Sequence, residues 1–197
     1  MMEKILELER NAFLWINGTH TPFLDSLFWP FSGVLMWFPL ILVPLYFVWR
    51  RKKDWKPAVI SLILIPVLSM IASNHIFKPI FTRFRPTTHP SFMDVVTLLN
   101  DYTAGGLYGF ISGHTTSAFG FAVLSSLLVR NKVYTVVILI WAFLMAYSRI
   151  YLGAHFISDV IGGFIIGVLL AILVYFFFKY ISDRYFFNDN CEEILED

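Results

Sequence analysis

Residues Pro57–Phe77 read PAVISLILIPVLSMIASNHIF, a run with no Asp, Glu, Lys or Arg, interrupted in polarity chiefly by His75 near its end. At about 1.5 Å of rise per residue, such a run crosses the roughly 30 Å of bilayer hydrocarbon as a helix. Inside hydrocarbon every backbone N–H and C=O must find its partner within the protein, which favours helices or closed barrels. Working outward from this run, four further stretches have a comparable character: Leu27–Trp49, Ser112–Val129, Val133–Ser148 and Phe156–Tyr180. The third and fourth crossings are short and borrow interfacial neighbours such as Tyr151. The expected fold is therefore all-α, a polytopic membrane bundle of about five transmembrane helices.

Composition agrees. Of 197 residues 57% are hydrophobic, 18% aromatic and only 15% charged, with a mean hydropathy of +0.67. Soluble domains carry about 25% charged residues, and a chain this short cannot hide so much Phe, Trp and Tyr in one aqueous core. A net charge of +1 gives no bulk attraction for nucleic acid. The single cysteine, Cys191, excludes an intramolecular disulfide and a cysteine-based metal cluster, and its place in an acidic tail makes it an idle thiol.

Basic residues beside a span stay in the cytoplasm. The cluster Arg50, Arg51, Lys52, Lys53 and Lys56 sets that side, and five crossings then put Arg130, Lys132, Lys179 and Arg184 on it too. The N-terminus, the connection 79–111 and the turn Arg149–His155 fall on the opposite, outer face. The start of the chain carries Glu3, Glu7 and Glu9 where a secretory signal is basic, so no cleavage is expected. Ile5, Leu8, Ala12 and Trp15 recur at helical spacing, predicting an N-terminal helix that lies in the outer interface with its acids toward water, or else a short sixth crossing. Connection 79–111 is too long for a passive link. Within it Phe92, Val95, Val96 and Leu99 follow i, i+3, i+4, i+7, predicting an outer-face loop helix that acts as a lid or lies at the interface. One membrane domain over residues 1–187 is expected, followed by an acidic cytoplasmic tail, 188–197.

Polar groups gathered at membrane depth read as a site. Lys78 closes the second span, Arg85-Pro86 follows it, Ser112-Gly113-His114 opens the third, Ser148-Arg149 ends the fourth, and His155 and Asp159 open the fifth. Parity alone brings all of them to the outer face. Three cations (Lys78, Arg85 and Arg149), with the Ser112 hydroxyl and the Gly113 N–H at a helix start, suit a phosphate: guanidinium forks take two oxygens at once, and the helix N-terminus adds N–H donors. His114 and His155 supply a proton donor and a nucleophile. Asp159 stands one turn after His155 and can hold one ring nitrogen's proton while the other keeps its lone pair. His20, His75 and His89 match no metal-ligand spacing, and no metal or other cofactor is expected. Gly162, Gly163 and Gly167 read as close helix packing. A transporter or scramblase that only binds phosphorylated lipids is the rival of another class, and it would not need His155 with an acid one turn away.

Lys78, six residues, Arg85-Pro86; Ser112-Gly113-His114; and Ser148-Arg149, five residues, His155, three residues, Asp159 together resemble the three-part signature of the type 2 phosphatidic acid phosphatase (PAP2) family. The resemblance implies a metal-independent, inner-membrane lipid phosphatase. In it His155 forms a phosphohistidine, Asp159 orients His155, and His114 protonates the leaving oxygen, while Lys78, Arg85, Ser112, Gly113 and Arg149 hold the phosphoryl group. Where the family has proline before Ser-Gly-His, this chain has Ile111. The substrates the family implies are lipid A phosphates, undecaprenyl pyrophosphate, phosphatidylglycerol phosphate and phosphatidic acid. Arg83, His89 and the long outer loop favour a sugar headgroup, hence lipid A phosphate.

Overall fold

The computed structural model describes residues 2–33, 37–50, 55–102 and 105–193. Arg51, Lys52 and Lys53 of the basic cluster and residues 194–197 of the acidic tail lie outside the described residues. Among those described the chain is helical, with no strand beyond one isolated bridge between Phe84 and Tyr108.

Helix α1 (Met2–Asn17) turns Ile5, Leu8 and Trp15 outward and buries Phe13. Helix α2 (Pro22–Phe28) starts where Thr21 accepts the Leu24 N–H on its hydroxyl and Pro22 presets the first turn. The expected first span, 27–49, is not one helix. A short 3₁₀ turn (Trp29–Ser32) follows α2, and α3 (Phe38–Trp49) has 12 residues, because Pro30, Gly33 and Pro39 punctuate the run.

The stretch quoted first forms α4 (Trp55–Ile71), which passes through a π-helical turn (Ala72–Phe77) into α5 (Lys78–Phe81) and stops at Thr82, in the left-handed region at φ 43°. Helix α6 (Gly113–Val129) is capped by Ser112 and ends at a left-handed Arg130. Helix α7 (Lys132–Tyr151) is capped by Asn131. Helix α8 (Ile157–Glu193) outruns its expected end at Tyr180, since no glycine or proline follows Gly167 to stop it; residues 188–193, expected in the tail, continue this helix. Among the described residues three helical runs are long and apolar enough to cross a membrane: Trp55–Phe81, Lys132–Tyr151 and Ile157–Arg184. The apolar α6 is shorter. The chain is a helical membrane bundle.

Helix α6 is the centre of that bundle, buried along most of its length between α4, α7 and α8. In lipid, helices associate by close packing rather than by escape from water. Gly167 shows this, since a Cβ there would lie 2.5 Å from the Thr116 carbonyl of α6.

The outer connection departs from expectation. No helix forms over Phe92–Leu99; the segment holds only the three-residue 3₁₀ turns Met93–Val95 and Leu99–Asp101. Val95, Val96 and Thr97 are β-branched and stiff in a helix. In addition, Asn17 of α1 claims the backbone of this segment, accepting the Thr97 N–H at 2.8 Å and donating to the Thr97 carbonyl at 3.0 Å. Phe92 instead joins Phe13, Ile150 and Phe156 in a buried cluster, with ring centroids 5.4–5.6 Å apart among the three phenylalanines. The N-terminal helix is thereby docked against the turn that precedes α8.

Candidate active site

The two ends of the outer connection are zipped together. Arg85 N–H donates to the Leu107 carbonyl at 3.0 Å, and Gly109 N–H to the Arg83 carbonyl at 2.8 Å. This pairing turns the Arg85 side chain inward. Its Nε and Nη2 donate to the carbonyls of Gly106 and Gly105, each at 3.0 Å, and its Nη1 to the Ala154 carbonyl at 3.1 Å. Nη1 also reaches His155 Nε2 at 2.9 Å.

Arg149, at the end of α7, has no exposed surface. It donates to the Phe31 carbonyl at 2.6 Å, to the Ser148 hydroxyl, and to the Tyr102 hydroxyl at 3.3 Å. Lys78 donates to the Asn74 side-chain oxygen at 2.5 Å. Asn74 is part of the π-helical turn, a device that widens a helix locally and is frequent at functional sites.

These cations line a cavity of about 250 Å³ together with Tyr102, His114 and His155. Among the described residues, Lys78, Arg85 and Arg149 make no ion pair with a carboxylate; every partner they have is a neutral oxygen or nitrogen. Burying cations without a counter-charge is costly. An anion bound in the cavity would offset that cost.

His155 follows α7 through a turn at Gly153, with the Ala154 and His155 N–H groups both donating to the Arg149 carbonyl at 2.9 and 3.2 Å. Arginine is only a donor, so Nε2 of His155 accepts and the ring proton sits on Nδ1. That proton faces Asp159 Oδ2 at 3.5 Å, an ion-pair separation rather than a hydrogen bond. Burial, then the charges of Arg85, Lys78 and Arg149, hold the His155 imidazole well below the ordinary histidine range. It is therefore a neutral base with a lone pair on Nε2.

Asp159 is fully buried behind it. Its Oδ2 accepts the Phe156 N–H at 3.0 Å, and its Oδ1 accepts from Arg83 Nη1 at 2.7 Å. Arg83, expected to meet a sugar headgroup, is thus committed to the back of the site, where it also pairs with Glu9 at 2.7 Å. Nor do all of α1's acids face water: the Glu9 side chain is only 13% exposed. His89, the other residue expected at the headgroup, is engaged by Ser91 N–H and approached by Arg10.

Six of the eight expected site residues therefore converge around the cavity: Lys78, Arg85, Gly113, His114, Arg149 and His155. Asp159 stands one layer back. Ser112 is fully buried and serves as the N-cap of α6, its hydroxyl accepting from Thr115. Ile111, in the family's proline position, is fully buried, and its carbonyl accepts from Ser73 at 2.9 Å. His20, His75 and His89 do not converge; His20 pairs instead with Asp25 at 2.7 Å. No group of three His, Cys, Asp or Glu among the described residues could hold a metal ion. Three participants escaped the sequence reading: Asn74, Tyr102 and Glu9. Only Asn74 left a signal, one helical turn before Lys78.

A second cavity, about 430 Å³, runs between α3, α4 and α6 and is lined by apolar side chains such as Leu45, Leu62, Ile63 and Phe121. Met70 and His114 line both cavities, so the apolar groove meets the cationic chamber at a histidine.

A family model described as the PAP2 superfamily matches residues 58–183, more than half of the sequence. The chain belongs to the PAP2 superfamily. The PAP2 match starts within α4 and ends within α8, so it takes in every expected site residue and leaves α1 outside. The chain is similar to a lipid A 4′-phosphatase of Porphyromonas gingivalis, 42% identical over 93% of this chain and 78% of that one. It also resembles a lipid A 4′-phosphatase of Bacteroides thetaiotaomicron, at 32% identity over 89% and 79%. Among solved PAP2 structures, Aquifex aeolicus LpxE superimposes with a TM-score of 0.61 at 30% identity, covering 83% of this chain and 92% of that one. The transmembrane phosphatidylglycerolphosphate phosphatase of Bacillus subtilis shares the fold, with a TM-score of 0.70 at 22% identity over 90% and 88% of the two chains.

Proposed function

We propose that this membrane phosphatase of the PAP2 superfamily removes the 4′-phosphate of lipid A, with His155 as its nucleophile. The observation that carries the reading is the buried trio Lys78, Arg85 and Arg149, without a carboxylate partner among the described residues, around a neutral histidine. A phosphate dianion supplies the missing charge. Arginine forks and the start of α6 then stabilise the additional charge that develops on its oxygens in the transition state.

In the first step Nε2 of His155 bonds to phosphorus as the bond from phosphorus to the sugar oxygen breaks. His114 gives that oxygen a proton. Arg85 Nη1, relieved of Nε2, turns to a phosphoryl oxygen, and Asp159 faces the Nδ1 proton of the imidazole as it gains charge. In the second step water attacks phosphorus, the N–P bond breaks, and His114 takes the proton that water releases. No metal is needed to complete this sequence. The substrate's acyl part lies in the apolar groove that meets the chamber at His114. The similarity to lipid A 4′-phosphatases supports this substrate over the other lipid phosphates.

We further infer that the membrane is the inner membrane of a bacterium and that the site faces outward, from the basic residues Arg50, Lys56, Arg130 and Lys132 gathered at the other ends of the spans. A Trp55→Cys variant in a Cys191→Ser background should resist impermeant thiol reagents in intact cells; ready labelling would reverse the orientation.

The activity is tested by phosphate release from purified protein, with EDTA present, from lipid A, undecaprenyl pyrophosphate, phosphatidylglycerol phosphate and phosphatidic acid. Release chiefly from lipid A, abolished by His155→Ala, is expected. Preference for another of these lipids would overturn the substrate assignment, and loss of activity restored by magnesium would overturn the metal-free mechanism.

A further inference from the structure

Glu9 lies on α1, about 150 residues away in sequence from His155, yet it is built into the back wall of the site. Its two oxygens do different work. Oε2 pairs with Arg83 Nη2 at 2.7 Å, and Oε1 accepts the Ser158 N–H of the first turn of α8 at 2.8 Å. The other nitrogen of the same guanidinium, Nη1, pairs with Asp159 Oδ1 at 2.7 Å and also meets the Ser158 hydroxyl. Arg83 in turn lies over the Phe156 ring, 4.7 Å from its centroid.

We propose that Glu9 is a positioning residue for catalysis, acting through Arg83 to fix the carboxylate of Asp159 against the nucleophile His155; this rests on the reading of His155 as nucleophile.

The geometry gives the argument its direction. Asp159 can present Oδ2 to His155 only if Oδ1 is held elsewhere, and the holder is Arg83. A guanidinium balanced by Asp159 alone would draw that carboxylate toward itself and away from the imidazole. Glu9 divides the charge of Arg83 between two carboxylates and pins the guanidinium plane from the far side. By capping the Ser158 N–H, it also ties α1 to the turn of α8 that carries Asp159. The Phe13, Phe92 and Phe156 cluster and the Asn17 clamp hold α1 in the register this requires. The N-terminal helix, outside the PAP2 match, thus completes the support of the catalytic pair.

The test compares wild type, Glu9→Gln, Arg83→Gln and the double variant in detergent micelles, with kcat, KM and thermal unfolding measured on lipid A. The ring ¹⁵N resonances of His155, assigned by loss in His155→Ala, are read in parallel. Glu9→Gln keeps an oxygen for the Ser158 N–H and loses only the charge. The expected result is a fall in kcat of about tenfold with KM within about twofold, since small misplacements of a catalytic group are costly. A displaced His155 resonance should accompany it, with little further loss when Glu9→Gln is added to Arg83→Gln. Unchanged kcat and unmoved His155 resonances in folded Glu9→Gln would overturn the proposal, as would the same loss with and without Arg83. If wild type releases no phosphate from lipid A, the functional reading fails on its own, and the His155 resonances still decide whether Glu9 acts on the pair.

Discussion

Arg85 Nη1 lies 2.9 Å from His155 Nε2, the atom proposed to attack phosphorus. The same guanidinium is anchored by the carbonyls of Gly105, Gly106 and Ala154. One residue thereby fixes the tautomer of the proposed nucleophile before substrate arrives and, in the proposed mechanism, turns to a phosphoryl oxygen once it has. Lysine offers a point charge without the planar fork. Arg85→Lys is expected to lower kcat/KM by about 100-fold or more with the fold intact, checked by phosphate release alongside thermal unfolding; a loss below about fivefold would mean that the fork is not used.

His155 should resist protonation. Burial and the neighbouring cations Arg85, Lys78 and Arg149 hold its basicity well below the usual value, while a backbone hydrogen bond with Gly109 opposes this only in part. For a histidine the sign is that the neutral, nucleophilic form persists as pH falls through about 6.5, where an ordinary imidazole becomes half protonated. In ligand-free protein the ¹⁵N resonances of His155 are expected to stay at their neutral positions between pH 7.5 and 6. A titration centred near 6.5 would contradict the electrostatic description of the chamber.

Gly109 lies against the Asp159 carboxylate, the proposed support of His155. A Cβ built at this position would be 2.8 Å from Asp159 Oδ2 and 3.3 Å from Arg85 Cγ. Neither neighbour is free to move, since Asp159 is held by Arg83 and the Phe156 N–H, and Arg85 by three carbonyls. Gly109→Ala is therefore expected to cost at least about tenfold in kcat, measured with saturating lipid A; activity equal to wild type would show that the back wall yields.

The apolar groove gives a selective prediction. Ile63 lines it and is 62% exposed on the outer surface of α4. Ile63→Trp should obstruct acyl chains and raise KM for lipid A several-fold, while hydrolysis of a small water-soluble phosphate monoester stays within about twofold. An equal effect on both substrates would remove the groove from substrate binding.

Much of this was legible in the sequence because membrane and catalytic chemistry both leave local marks. Charge-free runs reveal helices, and Lys78, Arg85, His114, Arg149, His155 and Asp159 sit in short motifs whose parity brings them to one face. What was illegible depended on long-range partners. The stripe Phe92–Leu99 has helical spacing, yet Asn17 takes its backbone groups, and nothing near residue 92 announces that competition. Arg83 looked like a headgroup contact because its true partners, Glu9 and Asp159, are each more than 70 residues away. The broken first span was more readable, since Pro30, Gly33 and Pro39 stand in plain view. Hydropathy outweighed them in the sequence reading, whereas in the folded chain the backbone restrictions of proline prevailed.

The most direct test of the central assignment is to trap the covalent intermediate. Lipid A labelled with ³²P at the 4′-position is mixed with wild type and with His155→Ala, quenched within milliseconds, and the labelled residue located by peptide mapping. The account predicts an acid-labile, alkali-stable phosphoryl group on His155 in wild type and none in the variant. Phosphate released at full rate by His155→Ala, or label on a different residue, would contradict it.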